Sequence, residues 1–157
     1  MNTSQTTAED RLAKLGIRLP DPPSPFGAYV PAVQAGNLLF LSGMLATVGH
    51  TPAMAGVVGK DLDVNAGQKA AYAAALNVLA LTKKQLGSLN RVNQFVRLSV
   101  FVAATAEFTE HPKVADAASE LLRAVFGEHM LPSRVVIGVA SLPLGSPVEL
   151  EALLEVK

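Results

Sequence analysis

Arg134 stands at the head of an otherwise uncharged apolar run, Ser133-Arg134-Val135-Val136-Ile137-Gly138-Val139-Ala140, and Glu149 opens Glu149-Leu150-Glu151-Ala152-Leu153-Leu154-Glu155. A guanidinium beside strand-forming apolar residues is costly unless it reaches water or an anion. A cation that keeps its proton, with a carboxylate nearby, suits a ligand bearing a carboxylate of its own. The plainer reading seats Arg134 at a strand end, snorkelling to water or paired with a structural carboxylate, and places Glu149, Glu151 and Glu155 on a solvated strand face. If 134–140 and 148–156 pair as a simple hairpin, Arg134 lies near Leu154, and Glu149 is roughly 16 Å along the ladder from Arg134 at the usual rise per residue. One small ligand does not span that gap. Either another pairing joins the two residues or they come from different chains, and we favour a site between subunits.

Other chemistries find little support. His50, His111 and His129 lie far apart with no metal-ligand spacing, and the absence of cysteine removes disulfides, thiolate nucleophiles and Cys-type zinc sites together. Gly56-Val57-Val58-Gly59-Lys60-Asp61 lacks the first glycine and the Ser/Thr after lysine of a phosphate loop, and no Gly-x-Gly-x-x-Gly follows a strand. Ser42 precedes Gly43 but sits in no Gly-x-Ser-x-Gly elbow. Phe95, Arg97 and Phe101 alternate on one strand face, yet no basic surround accompanies them as a single-strand nucleic-acid binder requires.

With 157 residues the chain fits one domain with a real core. Thirteen basic residues balance thirteen acidic ones with no charge block, which argues against a nucleic-acid partner. Zero net charge with only 17 % charged residues favours association into a homo-oligomer. The N-terminus has no basic-then-apolar signal pattern, and Asn2-Thr3-Ser4 counts as a glycosylation acceptor only in a secreted chain. The uncharged stretch 28–59 is broken by Pro31, Gly36, Gly43 and Gly49, so no membrane helix is expected and a cytoplasmic location is the default.

The elements that must position these residues follow from local pattern. Residues 8–18 read as a helix with Leu12 and Leu15 on one face, followed by a stiff Pro20-Asp21-Pro22-Pro23-Ser24-Pro25 connector. Strands over 29–34 and 38–42 flank an Ala35-Gly36-Asn37 turn. Residues 44–60 read as a mobile loop. A long helix over 64–86, capped by Asp63 or Asn65 and stopped by Gly87, precedes an alternating strand over 92–102. In that strand Val92, Gln94, Val96, Leu98, Val100 and Val102 are expected on one face. A second helix opens at Pro112 and ends at Gly127, and strands over 134–140 and 148–156 close the chain. The order β-β-α-β-α-β-β gives an α+β sheet with both helices on one face. The other face would then need a second copy to cover it.

Several of these segments resemble one family. Pro25-Phe26-Gly27-Ala28-Tyr29-Val30 with Ala35 to Gly43, Val96 to Val102 with Phe108, and Pro132-Ser133-Arg134 to Leu142-Pro143 with Val148 to Ala152 are similar to the signatures of the Rid (YjgF) family of reactive intermediate deaminases, also known as the endoribonuclease L-PSP family. The resemblance covers about 25–157, leaving 1–24 as a helical extension and connector. It implies a chorismate-mutase-like single mixed sheet, a homotrimer with ligand clefts between subunits, and hydrolysis of enamines and imines such as 2-aminoacrylate to 2-keto acids and ammonia. No metal or organic cofactor is implied. Carried over by position, Arg134 would clamp the substrate carboxylate, Glu149 would position or deprotonate water, and Tyr29 would line the pocket. Ser42, Gly43, Met44 and Val136 would border the substrate, and Asp116 or Ser119 would take the place of the family's helix asparagine. Met44 replaces a frequent glutamine, Val136 a common cysteine and Ser133 a common alanine. With the N-terminal segment and the 44–60 loop, these departures suggest a longer branch. For such a branch, a trimer that binds small carboxylates without turnover is the alternative. Ribonuclease action is disfavoured, because phosphate contacts need clustered Lys and Arg.

Overall fold

A computed structural model describes residues 6–157; the Asn2-Thr3-Ser4 tripeptide and the extreme N-terminus lie outside the described residues. Three helices, α1 (Ala8–Leu15), α2 (Val64–Leu86) and α3 (His111–Phe126), accompany strands β1 (Ala32–Ala35), β2 (Leu38–Leu41), β3 (Met44–Leu45), β4 (Thr47–Val48), β5 (Thr51–Pro52), β6 (Val92–Ala103), β7 (Ser133–Val139) and β8 (Val148–Val156). The main sheet runs β1-β2-β8-β6-β7, with β3 also on β8, and β4-β5 forms a small ribbon. Among these strands only the β6–β7 pair is parallel. The sheet is therefore mixed, with α3 as the crossover that a parallel pair requires.

The last two strands do not form the hairpin considered from the sequence. β6 lies between them, pairing Leu98 with both Arg134 and Ala152, and Phe101 with both Ile137 and Glu149. The run Val135 to Val139 ends the sheet as an edge strand whose partner arrives from before α3.

Alanine explains how α2 lies close to its neighbours. Ala70, Ala71, Ala74 and Ala75 are buried, and a Cβ at Gly67 would stand 3.0 Å from Val114 of α3. Small side chains allow that approach, while Leu79, Leu81 and Val78 fill the core beside Leu150 and Leu154 of β8. Asp63 accepts the Ala66 N–H at the start of α2, and Gly87 ends it in the left-handed conformation. Leu12 of α1 joins the same core, while Leu15 stays exposed. Glu9 fastens α1 by accepting from Lys83 Nζ at 2.7 Å and from the Leu89 N–H at 2.9 Å.

Two expectations need correction. The alternation predicted for β6 fails near its start, because register shifts fall between Val92 and Gln94 and between Phe95 and Arg97. Phe95 thereby turns into the core and Val96 out of it, since an extra residue in a strand flips the faces that follow. The segment 44–60, expected as one loop, contains β3, β4 and β5 and is anchored at both ends. Met44, Leu45, Ala46, Thr47 and Val58 are buried, and Val58 bridges Ala104. The carboxamide of buried Asn77 donates to the Leu45 and Thr47 carbonyls at 3.0 Å each, holding that segment on α2.

The helices cover one sheet face, as the element order implies. Paired residues of neighbouring strands share a face. Phe40, Leu153, Arg97 and Ser133 therefore line the other face, together with Ser99, Glu151, Val135, Phe101, Glu149 and Ile137. Phe40 and Ile137 there are 45 % and 44 % exposed.

Candidate functional site

Arg134 faces the helices. Its strand neighbour Leu98 is a core residue, and its guanidinium Nη1 donates to Asp116 Oδ1 and Ser119 Oγ of α3, both at 2.9 Å. Asp116 and Ser119 stand three residues apart, the spacing that puts two side chains on one helix flank. The main chain at Arg134 belongs to the sheet's free edge, yet its side chain is only 25 % exposed. Nη2 and Nε donate to nothing among the described residues, so one edge of the planar fork stays free. Val136 and Gly138 follow on the same face. His111 of α3 rests against Gly138, where a Cβ would come within 3.2 Å of its Cδ2.

Glu149 faces the other way. It is half-buried and accepts no hydrogen bond among the described residues. Burial, then the nearby Glu151 charge, push its carboxyl above the ordinary value. Gly43 lies against it: a Cβ there would stand 2.9 Å from Glu149 Cδ and collide with Oε1. Glycine at 43 is thus a requirement of space, since its carboxylate neighbour takes the room of a side chain.

The residues preceding β1 shape this second cluster. Ser42 Oγ donates to the Val30 carbonyl at 2.7 Å, and the Ser42 N–H donates to Pro31 at 2.9 Å. Its hydroxyl therefore ties Gly43 to the chain that carries Tyr29. The Tyr29 hydroxyl accepts the Phe26 N–H at 3.2 Å. A narrow cavity beside Gly43 is walled by Pro23, Phe26, Tyr29, Met44 and Thr47; Arg134 is not among its walls. Met44 itself is buried and pairs with Leu150.

One chain therefore carries two separate clusters. Arg134, Asp116, Ser119 and Val136 gather on the helix face at the β7 edge. Tyr29, Ser42, Gly43 and Glu149 gather near β3 and the opposite face. Asn77, which pins 45–47 beside this second group, escaped the sequence reading, as did His111 packed on Gly138. A glycine inside a β-branched run was the available signal for the latter, since it marks a close approach. Among the described residues, no three His, Asp or Glu side chains cluster as a metal site would. No helix among the described residues is long and apolar enough to cross a membrane.

Residues 9–155 match the family model described as "YjgF/chorismate mutase-like, putative endoribonuclease". The chain belongs to this family. Its mixed sheet with helices on one face is accordingly the YjgF, chorismate-mutase-like α+β fold. Among YjgF relatives, the protein TCP17 of Trypanosoma cruzi is 43% identical over 145 residues, spanning 92% of this chain and 91% of that protein. A 2-iminobutanoate/2-iminopropanoate deaminase of Dermatophagoides farinae is 29% identical over 141 residues, spanning 90% of this chain and 95% of that protein. The crystal structure of a "putative endoribonuclease" from Shewanella oneidensis MR-1 superposes with a TM-score of 0.91 at 33% identity, covering 96% of this chain and 99% of that one. The YjgF family thus joins deaminase and endoribonuclease names to one fold.

Proposed function

We propose that this protein is a homotrimeric, cofactor-free deaminase that hydrolyses small 2-imino acids in clefts between its subunits. The observation that carries the reading is Glu149: a half-buried carboxylate with no hydrogen-bond donor among the described residues, raised in pKa and held against a glycine. A structural carboxylate in that position would have a partner, whereas a group that exchanges protons with a substrate water needs to be free. The deaminase named among the relatives supports the choice of substrate class.

In this reading the free edge of Arg134 from one subunit binds the substrate carboxylate, and Glu149 of another subunit takes the water proton. The water oxygen bonds to the imine carbon. Glu149 returns that proton to the nitrogen, giving a carbinolamine; the carbinol O–H then passes its proton through Glu149 to the amino group as the C–N bond breaks, leaving the 2-keto acid and ammonia. An activated C=N bond asks for placement and charge complementarity more than for a strong nucleophile. The helix-free sheet face, with Phe40 and Ile137 exposed on it, would supply the subunit contact.

The test generates 2-iminobutanoate with an amino-acid oxidase and follows its decay. Wild type should accelerate hydrolysis, and Arg134→Ala should lose about 100-fold or more of that acceleration. Equal decay with wild type, Arg134→Ala and no protein would refute the reading. A second reading, a carboxylate-binding trimer without turnover, draws on the Arg134–Asp116 pair, which already satisfies part of the guanidinium. Calorimetric binding of 2-oxobutanoate without any acceleration would favour it. The endoribonuclease name is not favoured by a chain of zero net charge whose sequence holds no block of Lys and Arg for phosphates.

A further inference from the structure

We propose that Asp116 sets the charge preference of the Arg134 half-site, so that it takes acids with a cationic nitrogen on the α-carbon, an iminium or an ammonium, over plain carboxylates. The inference rests on Arg134 as a carboxylate clamp.

The geometry is specific. Asp116 Oδ1 sits 2.9 Å from Arg134 Nη1, in a pair whose side chains are 25 % exposed for arginine and 56 % for aspartate. The other ion pairs of α3, Lys113 with Glu110 and Arg123 with Glu120 and Glu128, stay along the helix or run just past its end. Arg134–Asp116 alone among them joins the helix to the sheet. Asp116 Oδ2 accepts from nothing among the described residues, and the aspartate side chain is the more exposed of the pair.

A ligand carboxylate on that free edge meets no isolated cation. It meets a pair of zero net charge with a carboxylate oxygen beside it. A plain carboxylate gains hydrogen bonds there but little net attraction, and it lies near a like charge. An acid with a cationic nitrogen next to its carboxylate brings a partner for Asp116 as well. Hydrolysis replaces that nitrogen by the water-derived oxygen and sends it away as ammonia, so the keto-acid product is the poorly held form. Asp116 thereby separates substrate from product, favouring capture of one and release of the other. Asparagine at 116 would keep the hydrogen bond to Arg134 and discard the charge.

The experiment titrates intact wild-type and Asp116→Asn proteins calorimetrically with 2-aminobutanoate, a stable α-cationic acid, and with 2-oxobutanoate. Wild type should prefer 2-aminobutanoate by about fivefold or more, and Asp116→Asn should tighten 2-oxobutanoate by about five- to tenfold and lose the preference. Asp116→Ser repeats the comparison with a smaller neutral side chain. An unchanged ratio of the two affinities in both variants overturns the role of Asp116 while leaving the clamp standing. Absence of binding to any of the proteins, or wild-type binding by Arg134→Ala, means that the clamp has failed and the preference with it.

Discussion

Arg134 and Glu149 project from opposite faces of one sheet. Both flank β6, Arg134 opposite Leu98 and Glu149 opposite Phe101, with β6 between their strands. Strand spacing and rise place their Cα atoms roughly 14 Å apart, and their side chains diverge from there. No rotamer change within one chain brings the two groups onto one small molecule. The function proposed above therefore has the arginine of one copy meet the glutamate of another.

The burial of Glu149 has a consequence for stability. Its folded pKa is raised, so the folded state binds the proton more tightly than the unfolded chain. Its charged form therefore costs stability above the folded pKa. That cost fades as pH falls, and it is absent below the ordinary carboxyl value, where both states are protonated. Glu149→Gln should raise Tm at pH 7.5 by about 2–4 °C and leave it unchanged near pH 3.5. Thermal melts at the two pH values check this; a lower Tm at neutral pH would mean that the carboxylate has a stabilising partner.

Gly43→Ala should move the Glu149 carboxylate without unfolding the chain, since the Cβ meets the far end of a flexible side chain. We expect imine hydrolysis to fall about 10-fold or more in kcat, with far-ultraviolet circular dichroism unchanged. Full activity would show that Glu149 does not act from this position.

Asn77→Ala removes both hydrogen bonds that hold Leu45 and Thr47 to α2 and leaves their carbonyls unsatisfied. The expected loss is about 1–3 kcal/mol in denaturant unfolding. Faster amide exchange should be concentrated in 44–58. A loss spread evenly over the sheet would contradict the pinning role.

Much of this fold was legible in the sequence because its signals are local. Asp63, the alanine run and Gly87 delimit α2, and Pro112 with Gly127 brackets α3. The strand pairing was not legible, since 134–140 and 148–156 adjoin in sequence, yet the parallel β6–β7 pairing is set by packing of α3 on the sheet. The bulge at Val96 was hidden because both Phe95 and Val96 are apolar. Composition rich in Gly, Ala and Pro made 44–60 look like one loose loop, whereas its start is held by Asn77, a contact distant in sequence. For the site, residue types were visible but faces were not: the side to which Arg134 points depends on the phase of β7 against β6.

The open sheet face yields a test of assembly. Phe40→Glu combined with Ile137→Glu replaces two exposed apolar side chains of that face by charges without touching the helix-side core. Light scattering should report a trimer for wild type and monomers for the double variant. A trimer that survives both charges would place the subunit contact elsewhere.

Mixing two inactive variants decides whether the site is shared. Arg134→Ala retains Glu149, and Glu149→Gln retains Arg134. Unfolded and refolded together in equal amounts, they should form assemblies in which about a quarter of the clefts pair an intact arginine with an intact glutamate. Imine hydrolysis should return to about a quarter of the wild-type rate, while each variant refolded alone stays inactive. A mixture that native mass spectrometry shows to be hetero-oligomeric, yet that remains as inactive as its parents, would contradict a cleft built from Arg134 of one subunit and Glu149 of the next.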